Sequence, residues 1–147
     1  MYQRILVATD GSTLSKKAVK AAIDLASATG ADLVALHVVP RYPVSYFEGA
    51  LQLSPNEIAR TEKSWDDKAQ GITGAAVDQA KARKVKARSV VVHSDLVAES
   101  IIAAAKKNRC DLIVMASHGR RGLKRLLLGS ETQGVLTHGN TPVLVLR

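Results

Sequence analysis

Cysteine is almost absent from this chain: Cys110 is the only one in 147 residues. A single cysteine excludes an internal disulfide and fits a reducing cytoplasm. It stands just before an apolar strand pattern, so it reads as a packing residue rather than a reactive thiol. Aromatic residues are scarce as well, with three Tyr, one Phe and one Trp, too few to build stacking platforms for single-stranded nucleic acid. No apolar run approaches the ~20 residues of a membrane span. The opening MYQRILVATDGS passes straight into a strand pattern, without the layout of a signal peptide. Internal repeats, low-complexity tracts and linkers are also missing. At this length the chain reads as one domain over residues 1–147, cytoplasmic, and able to bury about two-thirds of its unfolded surface.

What the chain has in excess is positive charge, a formal +8. Such a balance attracts anions, but it does not choose among nucleotides, nucleic acid, acidic proteins and membrane surfaces. No helix-turn-helix, RNA-recognition or zinc signature is present, so nucleic acid is not an expected partner.

Apolar periodicity divides the chain into alternating strands and helices. Arg4–Thr9 is a short apolar run closed by Asp10-Gly11-Ser12, a turn with a helix N-cap candidate. From Leu14, apolar positions at Ala18, Ala21, Ala22 and Leu25 recur at helical steps as far as Gly30. A second strand, Asp32–Val39, stops at Pro40. Residues 41–54 show no period and hold Tyr42, Tyr46 and Phe47. Pro55 suits the first turn of a long polar helix with Ile58, Trp65 and Ile72 on one stripe. Gly71 and Gly74 weaken that helix by about 1 kcal/mol each relative to alanine.

Strand Ala87–His93, a helix from about Val97 to Asn108, strand Asp111–Ala116, a helix near Ser130–Thr137 and strand Pro142–Leu146 complete the order βαβαβαβαβ. Near-continuous Val, Ile and Leu runs between helices predict an α/β fold, a doubly wound five-stranded parallel sheet covered on both faces. Ligands of such sheets bind beyond the carboxyl ends of the strands, where the strand order reverses. That rule brings forward Thr9–Ser12, Val38–Pro40 and the stretch from Ala116 to Ser130.

The last stretch lies within MASHGRRGLKRLLLGSETQ. Gly129 precedes a helix whose first amides and partial positive charge suit phosphate oxygens. Ser130 and Thr132 add hydroxyls. Ser130-Glu-Thr-Gln133 is equally a capping box, and the two roles are compatible. Gly119 and Gly122 allow either positive φ or close approach, and the spacing is neither Walker nor GxGxxG. Arg120, Arg121, Lys124 and Arg125 would neutralise phosphate or simply face solvent. Asp10 would hold a ribose hydroxyl, share Mg²⁺ with phosphates, or serve the turn alone. Ser117 and His118 are adjacent and lack a nucleophile elbow, so no catalytic triad is read there. His37 reads as a packed core histidine. His93 and His138 lack metal-ligand spacing.

The strings ILVATDGS, LHVV, DLIVMASHG and LLLGSETQGVLTHGNTPVLVL together resemble the universal stress protein family, from Ile5 to Leu146. The resemblance implies a flavodoxin-like or Rossmann-like sheet of the nucleotide-binding α-hydrolase-like kind, often paired as a homodimer through the last strand, here 142–146. It further implies members that bind ATP and members that bind no nucleotide. ATP binders carry Gly-x₂-Gly-x₉-Gly-Ser/Thr after the fourth strand. Gly119, Gly129 and Ser130 match this motif, and Ala116 replaces its first glycine.

By the same matching Asp10 contacts ribose or phosphate-bound Mg²⁺, with Thr9 bordering it. Val38 meets adenine, Met115 lines the pocket, and Thr132 assists the phosphates; Arg120, from its charge, is a further candidate. A left-handed backbone at Ala116 would cost ~1–2 kcal/mol, and ordinary β dihedrals would cost nothing. Glu131 suits the helix dipole but competes with phosphate.

The leading expectation is a dimeric stress-response module that binds ATP or a related adenine nucleotide. The alternative is a nucleotide-independent interaction protein acting through its dimer surface and the 41–54 loop. No general base is legible, so the chain is not expected to be an enzyme.

Overall fold

The computed structural model describes residues 1–41, 54–119 and 128–147. Arg120 and its neighbours Arg121, Gly122, Lys124 and Arg125 lie outside the described residues, as do Tyr42, Tyr46 and Phe47.

The elements are β1 (Arg4–Ala8), α1 (Thr13–Thr29), β2 (Asp32–Val39), α2 (Pro55–Ala82), β3 (Ala87–His93), α3 (Val97–Lys107), β4 (Leu112–Ala116), α4 (Ser130–His138) and β5 (Val143–Leu146). The five strands are parallel in the order β3-β2-β1-β4-β5, the doubly wound arrangement expected from the apolar runs. β1 sits between β2 and β4, with Val7 opposite both Ala35 and Val114. The final strand starts one residue later than its apolar run, because Pro142 has no N–H to donate. Its carbonyl still accepts from Ile113 N–H at 2.9 Å.

Strand alternation sends side chains into two cores. Ile5, Val7, Leu33, Ala35 and Val114 pack under α1 and α2. Leu6, Val34, Leu36, Ile113 and Met115 pack under α3 and α4. The long helix α2 runs unbroken through Gly71 and Gly74. Its buried stripe is Ala69, Thr73, Ala76, Val77 and Ala80, while Ile58, Trp65 and Ile72 are half-buried. Small side chains let the helix lie close on the sheet, and the larger residues flank that seam.

The capping chemistry differs from the expectation at one end and meets it at another. Ser12 caps α1, its Oγ accepting from Ser15 N–H at 3.2 Å. The Ser130–Gln133 capping box does not form: Gly129 is the N-cap of α4, and no side chain caps it. The box that does form opens α2. There Ser54 Oγ accepts from Glu57 N–H at 3.3 Å, and Glu57 Oε2 accepts from Ser54 N–H at 2.7 Å.

Candidate functional site

The strand order reverses at β1 and β4. α1 leaves β1 over one face and α4 follows β4 on the other, so the connections part and leave a crevice at the carboxyl ends. Three segments reach it: Thr9–Ser12 after β1, Ser117–Gly119 after β4, and Gly129–Thr132 at the start of α4.

The β1 loop is tied down atom by atom. Thr9 is buried, its N–H donates to Leu36 O at 2.9 Å, and its Oγ1 lies 3.1 Å from Ser15 Oγ. Gly11 takes φ +77°, which glycine adopts without steric cost. That turn brings Ser12 N–H to Asp10 Oδ1 at 2.9 Å. The other carboxylate oxygen faces β4: a Cβ on Gly119 would fall 2.8 Å from Asp10 Oδ2. The two predicted site residues therefore touch, and glycine is what lets them.

Gly129 is closely approached as well. Its N–H donates to Ser117 O at 2.7 Å, and a Cβ there would meet Ser117 O and His118 Cα at 3.2 Å. Neither Gly119 nor Gly129 has positive φ, so close approach, not backbone handedness, selects both. Ala116 ends β4 opposite Leu146. The only non-glycine residues with positive φ among those described are Lys84 and Arg109, so Ala116 carries no left-handed strain. By alternation its methyl shares the α1/α2 side with Val114, whereas Met115 belongs to the α3/α4 core. Ala8 and Val38 pack against that same core, which makes an apolar wall beside the crevice.

At the start of α4 the hydroxyls part company. Thr132 is buried, and its Oγ1 is 3.0 Å from Ala116 O and 3.1 Å from Ser117 O. Its one hydrogen is committed to the end of β4, so it fastens α4 to the sheet. Ser130 is exposed, and its Oγ donates to Glu131 Oε2 at 3.0 Å. The first backbone bond of α4 runs from Gln133 N–H to Gly129 O at 3.0 Å. The amides of Ser130, Glu131 and Thr132 precede it and lie at the positive end of the helix dipole.

Two contacts escaped the reading of the sequence. His37 Nδ1 lies 2.7 Å from the Thr9 carbonyl oxygen. Ser117 Oγ pairs with its neighbour His118 Nδ1 at 3.0 Å. A hollow of about 280 Å³ opens between the Thr9–Gly11 turn, α1 and α2, and one of about 340 Å³ lies between Val39, Arg41, His93 and α2; neither includes Gly119, Gly129 or Ser130. Among the described residues no cluster of three His, Cys, Asp or Glu could hold a metal ion. No helix there is long and apolar enough to cross a membrane.

Residues 1–147 match the profile of the Universal stress protein family. The chain belongs to that family. Universal stress protein MJ0531 of Methanocaldococcus jannaschii is 33% identical over 153 aligned positions, covering 100% of this chain and 83% of the relative. The solved structure of MJ0577, from the same organism, superposes with a TM-score of 0.83 at 26% identity, over 99% of this chain and 96% of the other. Another universal stress protein, solved in complex with cAMP, gives a TM-score of 0.66 at 26% identity, covering 99% and 97%. This universal stress protein thus aligns over nearly its whole length with both solved structures.

Proposed function

We propose that this universal stress protein binds ATP or a related adenine nucleotide at the switch point, and signals by the bound state. One observation carries the reading: Asp10, Gly119 and the start of α4 converge on a single crevice. The relative solved with cAMP supports an adenine nucleotide as the ligand class.

The base lies against Val38 and Met115. Asp10 takes a ribose hydroxyl or, with the phosphates, a Mg²⁺ ion. A lone carboxylate suffices for that ion because phosphate oxygens and water complete its shell. The phosphates meet the amides of Ser130 and Glu131 at the helix N-terminus. Arg120 is the proposed added cation, and Thr132 contributes by fixing α4 rather than by direct contact.

The role is binding, not turnover. Ser117 and His118 pair with each other through adjacent side chains, which is not the arrangement of a nucleophile with a separately held base. The proposed setting is the cytoplasm, and the proposed assembly is a homodimer through β5, the strand at the open edge of the sheet.

Small molecules released from freshly purified protein, identified by mass spectrometry, test the ligand. Equilibrium dialysis with labelled ATP and Mg²⁺ tests the affinity. An adenine nucleotide in the first or saturable uptake in the second is expected. No uptake at millimolar nucleotide would leave the dimer surface as the functional feature.

A further inference from the structure

We propose that His37 is a positioning residue for the nucleotide site, holding the Thr9–Asp10 peptide so that the Asp10 carboxylate faces Gly119. The proposal rests on the nucleotide reading above and adds a side chain to it from the opposite face of the sheet.

His37 is half-buried near the end of β2. Alternation places its ring on the α1/α2 side, away from Val38 and the apolar wall. Its Nδ1 is 2.7 Å from the Thr9 carbonyl oxygen. A carbonyl oxygen only accepts, so Nδ1 carries the hydrogen and donates it. The tautomer follows from the partner.

The contact sits where β1 leaves the sheet. Thr9 N–H donates to Leu36 O at 2.9 Å. In a parallel ladder the carbonyl of that same residue would pass to the next backbone N–H of the neighbouring strand. Here the imidazole takes it. The other polar atoms of Thr9 are engaged within the loop and α1, with Gly11 N–H donating to Oγ1 at 3.3 Å and Ser15 Oγ beside it.

His37 is therefore the side chain through which β2 fixes the plane of the Thr9–Asp10 peptide. That plane sets where Asp10 leaves the backbone. One oxygen of Asp10 is held by Ser12 N–H and the other is packed at Gly119, so a modest rotation of the peptide moves the carboxylate off its place. Without the imidazole the part-buried Thr9 carbonyl loses its donor, and the peptide, with Asp10, can turn toward another.

The test compares His37→Leu, which removes the donor, with His37→Asn, whose Nδ2 reaches much the same position. Dissociation constants for ATP with Mg²⁺ are measured for each, in the wild-type and the Asp10→Ala backgrounds, and thermal unfolding is followed in parallel. His37→Leu should bind about tenfold more weakly, ~1.4 kcal/mol, and His37→Asn should recover most of that loss. In the Asp10→Ala background the two His37 variants should bind alike, because the effect passes through the carboxylate.

Undiminished affinity in His37→Leu overturns the proposal and leaves the nucleotide reading standing. So does an equal loss in the Asp10→Ala background, which would mark a merely structural histidine. A wild-type chain that binds no ATP removes the nucleotide reading and this proposal together.

Discussion

The Asp10 carboxylate and the Gly119 backbone meet across the switch point, close enough that a Cβ on Gly119 would sit 2.8 Å from Oδ2. This contact joins the loop after β1 to the loop after β4, two segments that share no local sequence rule. It also separates two effects that mutations often confuse, since the atom crowded by a new methyl is the tip of a side chain, not backbone.

Gly119→Ala should therefore cost only modest stability, about 0.5–1.5 kcal/mol, because the Asp10 carboxylate swings aside at the expense of its bond from Ser12 N–H. Affinity for ATP should fall about tenfold, since the displaced carboxylate no longer meets the ligand. Paired urea titrations and equilibrium dialysis check both halves. Unchanged affinity would remove Asp10 from the site.

Glu131 occupies Ser130 Oγ at 3.0 Å and places a negative charge at the anion-binding end of α4. Glu131→Gln removes the charge while its amide oxygen can still accept from Ser130 Oγ. Nucleotide affinity should rise about two- to fivefold, the equivalent of the 0.3–1 kcal/mol typical of a charge near a helix terminus. The gain should shrink as salt is added. A loss of affinity would show that Glu131 serves the ligand.

Three helix glycines should respond in opposite senses. Nothing lies within 4 Å of a Cβ on Gly71 or Gly74, so alanine at either should stabilise the protein by about 0.5–1 kcal/mol through helix propensity. A Cβ on Gly134 would stand 2.7 Å from Ala98 Cβ. Gly134→Ala should destabilise by about 1–3 kcal/mol, as overpacking of α4 against α3 outweighs the same propensity gain. Urea unfolding midpoints decide, and a stabilised Gly134→Ala would mean that the two helices separate easily.

The Cys110 thiol is pushed up to about 11 by burial. Raising the pKa of an acid in the folded state means that folding prefers the protonated thiol. The associated stability is complete below the unfolded value of about 9 and is lost as pH rises through 11. Native protein at pH 8 should react slowly with a thiolate-seeking disulfide reagent and quickly once unfolded. Comparing Cys110→Ala with wild type between pH 8 and 11 should show the extra pH dependence in wild type alone. Rapid native labelling would contradict the burial.

β5 lies at the open edge of the sheet, and Leu144 is 40% exposed on it. An apolar edge invites pairing with a second strand. Sedimentation velocity should give a dimer, and Leu144→Lys should shift it toward monomer without loss of helical circular dichroism. A monomeric wild type would remove the proposed interface.

Much of this molecule was legible before any coordinate. Continuous apolar runs define buried parallel strands, the 3.6-residue recurrence from Ala18 defines α1, and right-handed crossovers leave few ways to order five such strands. The doubly wound reading alone was enough to look for a crevice at the carboxyl ends of the strands. Glycine at 119 and 129 was also readable, although the reason for it was not: the sequence offers both positive φ and close approach, and only the fold selects the second.

What the sequence determined by itself was whatever depends on neighbours within a turn or two: the strands, the helices, the cap at Ser12 and the cleft they imply. Tertiary structure decided the partners of the polar groups. Ser130–Gln133 and Ser54–Glu57 satisfy the same local rule, yet only the second forms a box. Gly129 N–H is drawn to Ser117 O, and the entry of α4 is set by that bond. Thr132 was read as a phosphate ligand and is held by carbonyls 15 and 16 residues back. His37 reaches a carbonyl 28 residues away. A hydroxyl or an imidazole carries no record of which distant acceptor packing will bring to it, and for that reason these contacts had to be seen in three dimensions.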